Sequence, residues 1–308
     1  MRGFLKFIPV LAVLLVFLLS SLLLLSSCRT PGIAVIEEPS FPLPEIYLDF
    51  TGISAENPDD LFLDFTLKIF NYFPIDIPVN INSYTVSVNG NIAESGFELI
   101  NYQNISFTVD AVTQTESDPS TAEVDFILAM NVPVLVRNGL APHDDYEILL
   151  TLELVTPIPL PNNYSLEVSA LAEFPGVRAP SFSITSIAIL QAELINTGFR
   201  VGIVIDNPNP FPVNLAAFNY TLYGNDMLWA DGRERNIISV AAKTALSGNI
   251  FLVMNFIDMN RFLLDQIINL VDVNYRFTGE AVVHTGVEYL PSFVSGFDLT
   301  GYSIVIPE

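Results

Sequence analysis

The chain has 308 residues, of which 51% are hydrophobic, and this is enough to build the cores of two domains. Twelve lysine and arginine residues stand against 34 aspartate and glutamate residues, which gives a net charge of −22. This balance argues against a nucleic-acid partner, because binding to phosphates requires clusters of lysine or arginine.

The first 28 residues form a segment distinct from the rest of the chain. Arg2 and Lys6 precede an uncharged apolar run from Phe7 to Leu25, a pattern typical of secretory signal peptides. Cys28, the only cysteine, follows two serines, and this stretch resembles the lipobox of bacterial lipoproteins. The resemblance implies cleavage of a signal peptide at residues 1–27, acylation of Cys28, and anchoring in the bacterial cell envelope with the domains outside the cytoplasm. The alternative is an uncleaved transmembrane anchor, since about 19 apolar residues can span a bilayer.

Beyond residues 28–40, which we interpret as a tether rich in proline and glutamate, the chain repeats itself. Residues 77–96 and 211–232 share Pro-Val-Asn, Tyr-Thr, Gly-Asn and a final glycine in the same order. Further matches join residues 163–177 to 274–287 and Pro180-Ser181-Phe182 to Pro291-Ser292-Phe293. Several matches in one order indicate a duplication, so we predict two domains, 41–178 and 179–308, the first longer by about 25 residues.

Apolar and polar residues alternate through most of both domains, which is the pattern of half-buried β-strands. Val201, Ile203 and Ile205 fall on one face of such a strand, and Asn89-Gly90 is a strong hairpin signal. Between residues 256 and 270, apolar residues recur at three and four positions, which predicts an amphipathic helix. Residues 135–145, the corresponding part of the first domain, give no clear indication of a helix. We predict a mostly-β fold of two tandem antiparallel β-sandwiches, immunoglobulin-like or fibronectin-III-like, each with about one short helix.

One motif between two predicted strands combines asparagine with proline at alternate positions: Asn207, Pro208, Asn209, Pro210, Phe211 and Pro212. Proline fixes φ and lacks an N–H group, so Pro208 is expected to end the strand that Val201 begins. The asparagine side chains can bond to nearby backbone groups, and Phe211 can turn inward. The motif therefore predicts a stiff structural corner and not a reactive loop.

Together these features resemble the late embryogenesis abundant type 2 family, whose domain is also called the water-stress and hypersensitive-response domain. Residues 180–308 carry the resemblance best, through the motif Asn207–Pro212 and through Tyr220, Gly224 and Gly232. Residues 41–178 match less well, because Phe70-Asn71-Tyr72-Phe73-Pro74 replaces the motif there. The resemblance implies a β-sandwich with one helix per domain, no known catalytic residues, and a link to desiccation or stress tolerance.

Side chains suited to catalysis or metal binding are few. His143 is expected in a solvated loop, and His284 in a strand with its ring partly buried. Their positions do not have zinc-site spacing, and the acidic stretch from Asn57 to Asp64 lacks the spaced ligands of a calcium loop. Trp229 is expected in the core. We predict no catalytic residues, no metal and no cofactor, and therefore a protein that is not an enzyme.

These observations lead to two functional hypotheses. The first is a non-enzymatic, lipid-anchored envelope protein that protects or binds other envelope components under drying or related stress. Its partners would be the membrane, through Cys28, and an envelope protein or lipid. The second is a carrier of lipid or another apolar ligand, held in a groove between sheets that draw on 23 phenylalanines.

Overall fold

The computed structural model describes residues 44–100, 106–111, 118–140, 142–156, 164–192, 196–255 and 272–307. All of these residues belong to one compact unit. The predicted signal peptide at residues 1–27, the predicted tether at 28–40 with Cys28, and the predicted helix at 256–270 lie outside the described residues. Those expectations remain predictions.

Residues 45–175, termed the first repeat, form two antiparallel sheets. The first sheet has the strand order β1-β2-β7-β5 and the second has the order β4-β3-β8-β9, with β6 also paired to β3. The strands and the helix that follows β7 have these bounds: β1 (Glu45–Ala55), β2 (Asp60–Asn71), β3 (Ile77–Val88), β4 (Asn91–Ile92), β5 (Phe97–Ile100), β6 (Ser106–Val109), β7 (Ser120–Asn131), α1 (Val132–Arg137), β8 (Asp145–Thr156) and β9 (Tyr164–Pro175).

Residues 181–307, termed the second repeat, form a single path of strands in the order β13-β12-β16-β17-β10-β11-β15, with β14 paired to β12. A short parallel pairing of β10 with the end of β17 joins what would otherwise be two separate sheets. The strands have these bounds: β10 (Ser181–Ala192), β11 (Asn196–Asp206), β12 (Val213–Gly224), β13 (Met227–Glu234), β14 (Ile238–Val240), β15 (Ala245–Asn255), β16 (Asp272–Val287) and β17 (Leu290–Pro307).

The two repeats have the same strand connectivity. The order β1-β2-β7 recurs as β10-β11-β15, and β4-β3-β8-β9 recurs as β13-β12-β16-β17. The small strands β6 and β14 occupy matching places, because each pairs with the first residues of the strand beside it. The predicted mostly-β fold of antiparallel β-sandwiches is confirmed.

The strand order corrects part of the sequence alignment. By position in the sheet, β9 corresponds to β17, so residues 163–177 are not the equivalent of 274–287, which lie in β16. Likewise Ser181 begins β10, the first strand of its repeat, whereas Ser292 lies in β17, the last. Strand sequences of similar composition match one another easily, whereas hydrogen-bonded neighbours define the true equivalence. The equivalent stretches run from Gly96 to Asp145 and from Gly232 to Asp272. The difference in length between the repeats is therefore much smaller than the alignment suggested.

The helix α1 begins earlier than the undecided stretch 135–145. Asn131 caps it, because the side-chain Oδ1 accepts a hydrogen bond from the N–H of Val134 at 3.0 Å, and Pro133 occupies the first turn. Both are standard signals of a helix start. The helix ends after one and a half turns at Asn138-Gly139, where Gly139 takes a positive φ.

Buried hydrophobic side chains form two clusters, one drawn from Leu48 to Phe174 and the other from Val177 to Phe293. The first cluster is mainly aliphatic, and the second contains a group of aromatic rings in contact: Phe182, Phe218, Tyr220, Phe277 and Phe297. Tyr289 and Ala55 pack against both clusters, so the two cores meet at these side chains.

Candidate functional site

The motif Asn207–Pro212 connects β11 to β12, which belong to opposite sheets of the second repeat. The side chains of Asn207 and Asn209 are completely buried, whereas Pro210 and Pro212 are exposed. Phe211 is partly buried and packs against the core of the second repeat. Pro210 and Pro212 therefore face outward, Pro208 is half-buried, and the asparagines are the residues that the fold encloses.

Asn207 joins two segments of backbone, its own corner and the end of β14. Its Nδ2 donates to the carbonyl oxygens of Phe211 at 2.8 Å and Ala241 at 3.1 Å, with that of Val240 at 3.3 Å. Its Oδ1 accepts from the backbone N–H of Asn209 at 3.0 Å. Because a buried amide costs free energy unless its hydrogen bonds are made, this asparagine fixes the corner to the end of β14.

Asn209 reaches out of its own repeat. Its Nδ2 donates to the carbonyl oxygen of Arg178 at 2.8 Å, and its Oδ1 accepts from the N–H of the same residue at 2.7 Å. Arg178 lies between β9 and β10, in the segment that leads from the first repeat to the second. The second asparagine of the motif therefore clamps the linker, through both its donor and its acceptor.

The first repeat has an equivalent corner, built on one asparagine. Asn71 is also completely buried, and its Nδ2 donates to the carbonyl oxygens of Ile75 at 2.9 Å and Asp110 at 2.8 Å. Its Oδ1 accepts from the N–H of Phe73 at 2.8 Å. Phe73 stands where the second repeat has Asn209. The corner of the first repeat thus keeps the asparagine that holds its own strands and lacks the one that holds a linker.

Charged groups meet where the linker passes between the repeats. Asp144 lies just before β8, and its Oδ1 accepts from the Nζ of Lys243 at 2.6 Å and from the guanidinium of Arg178. Lys243 lies between β14 and β15 and adopts a positive φ. The hydrogen bond from Lys243 lowers the pKa of Asp144, with a further contribution from Arg178, although partial burial opposes the shift.

An aromatic contact lies beside this charged group. The Tyr289 hydroxyl donates to the carbonyl oxygen of Pro175 at 2.6 Å, and its ring meets Phe174 edge-on, with 5.9 Å between centroids. Phe174 in turn packs against Tyr146. Burial raises the pKa of Tyr289, so the hydroxyl keeps its proton and remains a hydrogen-bond donor. These contacts and the Asp144 cluster together form the junction between the repeats.

Both histidines are described, and one differs from expectation. His284 is exposed, because the alternation of β16 turns Val283 and Thr285 inward and His284 outward. The expectation of a partly buried ring was wrong. His143 is half-buried, and its ring meets Tyr146 edge-on at 5.8 Å. The two histidines lie in different repeats. Among the described residues, no three His, Cys, Asp or Glu side chains come together in a way that could hold a metal ion.

A surface cleft of about 540 Å³ lies at the end of the first repeat, between the turn after β1 and the start of β5. Carboxylates of Glu56, Asp60 and Glu98 line it, together with Asn131, whose Nδ2 donates to Asp60 at 2.7 Å. Asn57 accepts from the N–H groups of Asp59 and Asp60, so the acidic stretch expected to be a turn folds as one. The cleft is open and its rim is acidic.

Sequence reasoning singled out the corner but missed the junction. Trp229, expected in the core, is 2% exposed and stacks on Phe199 with 5.3 Å between centroids. Nothing in the sequence pointed to Asp144, because its partner Lys243 is 99 positions away. A usable signal was the run Pro175-Gly176-Val177-Arg178 between the repeats, where a glycine and a cation stand in a short connection.

Comparison with known proteins leaves the family open. The sequence matches no protein-family model and no curated protein. Among solved structures, a protein from Archaeoglobus fulgidus is 18% identical, with a TM-score of 0.25 over 41% of this chain and 97% of its own. The periplasmic chaperone SfaE is 10% identical, with a TM-score of 0.25 over 86% of this chain and 100% of its own. A Bacteroides uniformis beta-glucuronidase is 10% identical, with a TM-score of 0.21 over 79% of this chain and 26% of its own.

Within the described residues, no helix combines the length and apolar character needed to cross a membrane.

Proposed function

We propose that this chain is a non-enzymatic, lipid-anchored protein of the bacterial cell envelope. Its two sandwiches, similar to late embryogenesis abundant type 2 domains, would protect or bind other envelope components during drying or related stress. The observation that supports the proposal most is the asparagine corner that occurs in both repeats. It is the part of the sequence that carries the family resemblance, and its side chains bond to the protein's own backbone.

The chemistry of the surface fits a protective or binding role. The chain carries 34 acidic residues and 12 lysine or arginine residues. Acidic side chains hold water and keep molecules of the same protein apart, which favours solubility as water is lost. In this proposal the folded sandwiches act as a hydrated, acidic layer at the membrane, and Cys28 holds them there.

The alternative of an apolar-ligand carrier needs space between the sheets. In the described part of the second repeat this space holds the rings of Phe182, Phe218 and Phe297, whose centroids are 4.7 to 5.8 Å apart. The cleft of about 540 Å³ in the first repeat has an acidic rim. We therefore propose the protective role alone.

The anchor is tested by mass spectrometry of the N-terminal peptide from full-length protein made in a bacterial host. We expect the mature chain to begin at Cys28 and to carry the mass of attached acyl groups. The matched control is Cys28→Ser, which should remain unacylated. A chain that begins at Met1 would contradict the anchor and favour the transmembrane alternative.

The protective role is tested in the organism that carries the gene. Deletion should lower survival after drying several-fold, and the intact gene should restore it, whereas Cys28→Ser should restore it only in part. Survival that is unchanged by deletion, under both drying and osmotic stress, would refute the role.

A further inference from the structure

The two repeats differ at one sheet edge. In the first repeat, β7 is covered by β5, whose residues Phe97–Ile100 pair with Ile127–Met130. In the second repeat the equivalent strand, β15, ends the sheet as far as the described residues show it. The connection between β13 and β14, where a counterpart of β5 would lie, consists of Arg235–Ile237 alone, and all three residues are described. It is too short to contain a strand that returns to β15.

The uncovered strand lacks the usual protection against pairing. Long strands at the ends of sheets normally carry charged residues that prevent other chains from adding to them. Three of the four end strands of eight or more residues do so in the described chain: β1 has Glu45 and Asp49, β9 has Glu167 and Glu173, and β13 has Asp231 and Glu234. The fourth, β15, has no charged residue in Ala245–Asn255. This is notable in a chain whose net charge is −22.

The outward face of β15 is also apolar. Phe251 and Val253 are each 65% exposed, whereas Ile250 and Leu252 point into the core. The positions of β15 that correspond to the β5-covered part of β7 are Phe251–Met254, because Asn131 and Asn255 occupy matching places opposite β2 and β11. Phe251 and Val253 thus lie in the part of β15 whose equivalent in the first repeat is covered by β5.

We propose that β15 is a self-association edge, where a second molecule of this protein adds its own β15 in antiparallel orientation about a two-fold axis. Strands in a sheet lie about 4.8 Å apart, so a charged edge would repel an identical edge in such a pair. With the axis at Leu252, Phe251 of each molecule lies opposite Val253 of the other, and both outward pairs are apolar. The strand is therefore complementary to itself, as an isologous contact requires. The inference does not depend on the lipid anchor or on the protective role.

The test is sedimentation velocity of the full-length protein in a density-matched mild detergent, over a dilution series from tens of micromolar downward. We expect a dimer that dissociates on dilution. Val253→Lys places a cation on the free edge and should raise the dissociation constant at least about tenfold. The matched control is Leu149→Lys, on β8, where the native side chain is 38% exposed and the strand is paired on both sides, to β3 and to β9. This variant should dimerise like the wild type.

Three results would overturn the proposal: a wild type that is monomeric throughout the series, a Val253→Lys variant that still dimerises, or loss of the dimer in both variants. A measurement without substitutions guards against a folding defect. Hydrogen exchange of the wild type at high and low concentration should show added protection in Ala245–Asn255. Added protection confined to other strands would equally overturn the assignment.

Discussion

The two repeats build the same strand order from cores of different character. In the first repeat, β8 and β9 pair Ile148 with Ala172 and Leu152 with Val168. At the equivalent places in the second repeat, Tyr275 pairs with Gly301, and Gly279 with Phe297. The second repeat thus uses a large ring beside a glycine where the first uses two aliphatic side chains. At both places the strand pairing is the same while the residue types differ, so the shapes of the two partners change together.

The glycines of the second repeat are necessary for this arrangement. A Cβ added to Gly224 would meet the ring of Trp229, one added to Gly232 would meet Tyr220, and one added to Gly301 would meet Tyr275. At these positions the ring lies across the backbone of the glycine. A single residue of one repeat therefore cannot be placed at the equivalent position of the other, because each large side chain needs a small residue beside it.

The largest effect is expected from removing the corner asparagines, which the repeats share. Asn207→Ala removes the amide that bonds to the carbonyls of Phe211 and Ala241 and to the N–H of Asn209, and we expect a loss of about 3–5 kcal/mol of stability. Trp229 is the only tryptophan, so its fluorescence reports unfolding of the second repeat. Asn71→Ala should destabilise the first repeat by a similar amount while the Trp229 transition shifts less. Equal shifts in both variants would show that the repeats unfold as one unit.

A second test changes the pair Gly279 and Phe297, which stands where the first repeat has Leu152 and Val168. Gly279→Ala should cost about 1–3 kcal/mol, because its Cβ meets the ring of Phe297 and the carbonyl oxygen of Asn219. Phe297→Val alone should cost a similar amount through the space it leaves. In the double variant the added Cβ no longer meets the ring of Phe297, so the double variant should cost less than the sum of the two. The measurement is a double-mutant cycle by urea denaturation. Strict additivity would show that the ring of Phe297 is not what restricts position 279.

Part of this comparison could be predicted from the sequence. The alternation at Val201, Ile203 and Ile205 placed those side chains in the core, and all three are buried. Asn89-Gly90 forms the predicted turn, with positive φ at both residues. These features depend on residues that are close in sequence.

The parts that failed depend on residues that are far apart. The equivalence of β9 with β17 follows from hydrogen-bonded partners, which a local match between residue strings does not contain. The junction likewise brings Asp144 to Lys243, which is 99 positions away in the sequence. The exposure of His284 was within reach, because the alternation between Val283 and Thr285 already placed it on the outward face.

The third prediction concerns how the stability of the junction depends on pH. The junction includes the linker, which is bonded to the corner of the second repeat and not to that of the first. The folded-state pKa of Asp144 lies below the value of an unfolded chain, near 3.9. Its stabilisation is therefore fully present above that pH and is lost as the pH falls through the lowered pKa. We expect Asp144→Asn to lower the melting temperature at neutral pH, with a difference from wild type that shrinks below about pH 4.

A matched control for this test is Asp298→Asn. Asp298 also has a lowered pKa, through its hydrogen bonds with Arg276, but the pair joins β16 to β17 within one repeat. In Asp144→Asn the two repeats should unfold in two separate transitions, whereas in Asp298→Asn they should not. A difference for Asp144→Asn that persists unchanged at pH 3 would show that its charge does not stabilise the junction.

The smallest effect is expected from the prolines, where the repeats differ most in sequence. Pro208 corresponds to Tyr72, yet both corners have their asparagine completely buried and bonded to the same backbone positions. The asparagine therefore sets the geometry, and proline only restricts the unfolded chain. Pro208→Ala and Pro210→Ala should each cost about 0.5–1 kcal/mol in urea denaturation followed by Trp229 fluorescence. Because the cost arises in the unfolded state, hydrogen exchange at Asn209 in the folded protein should remain slow in both variants. Fast exchange there would mean that the prolines, and not Asn207, hold the corner in shape.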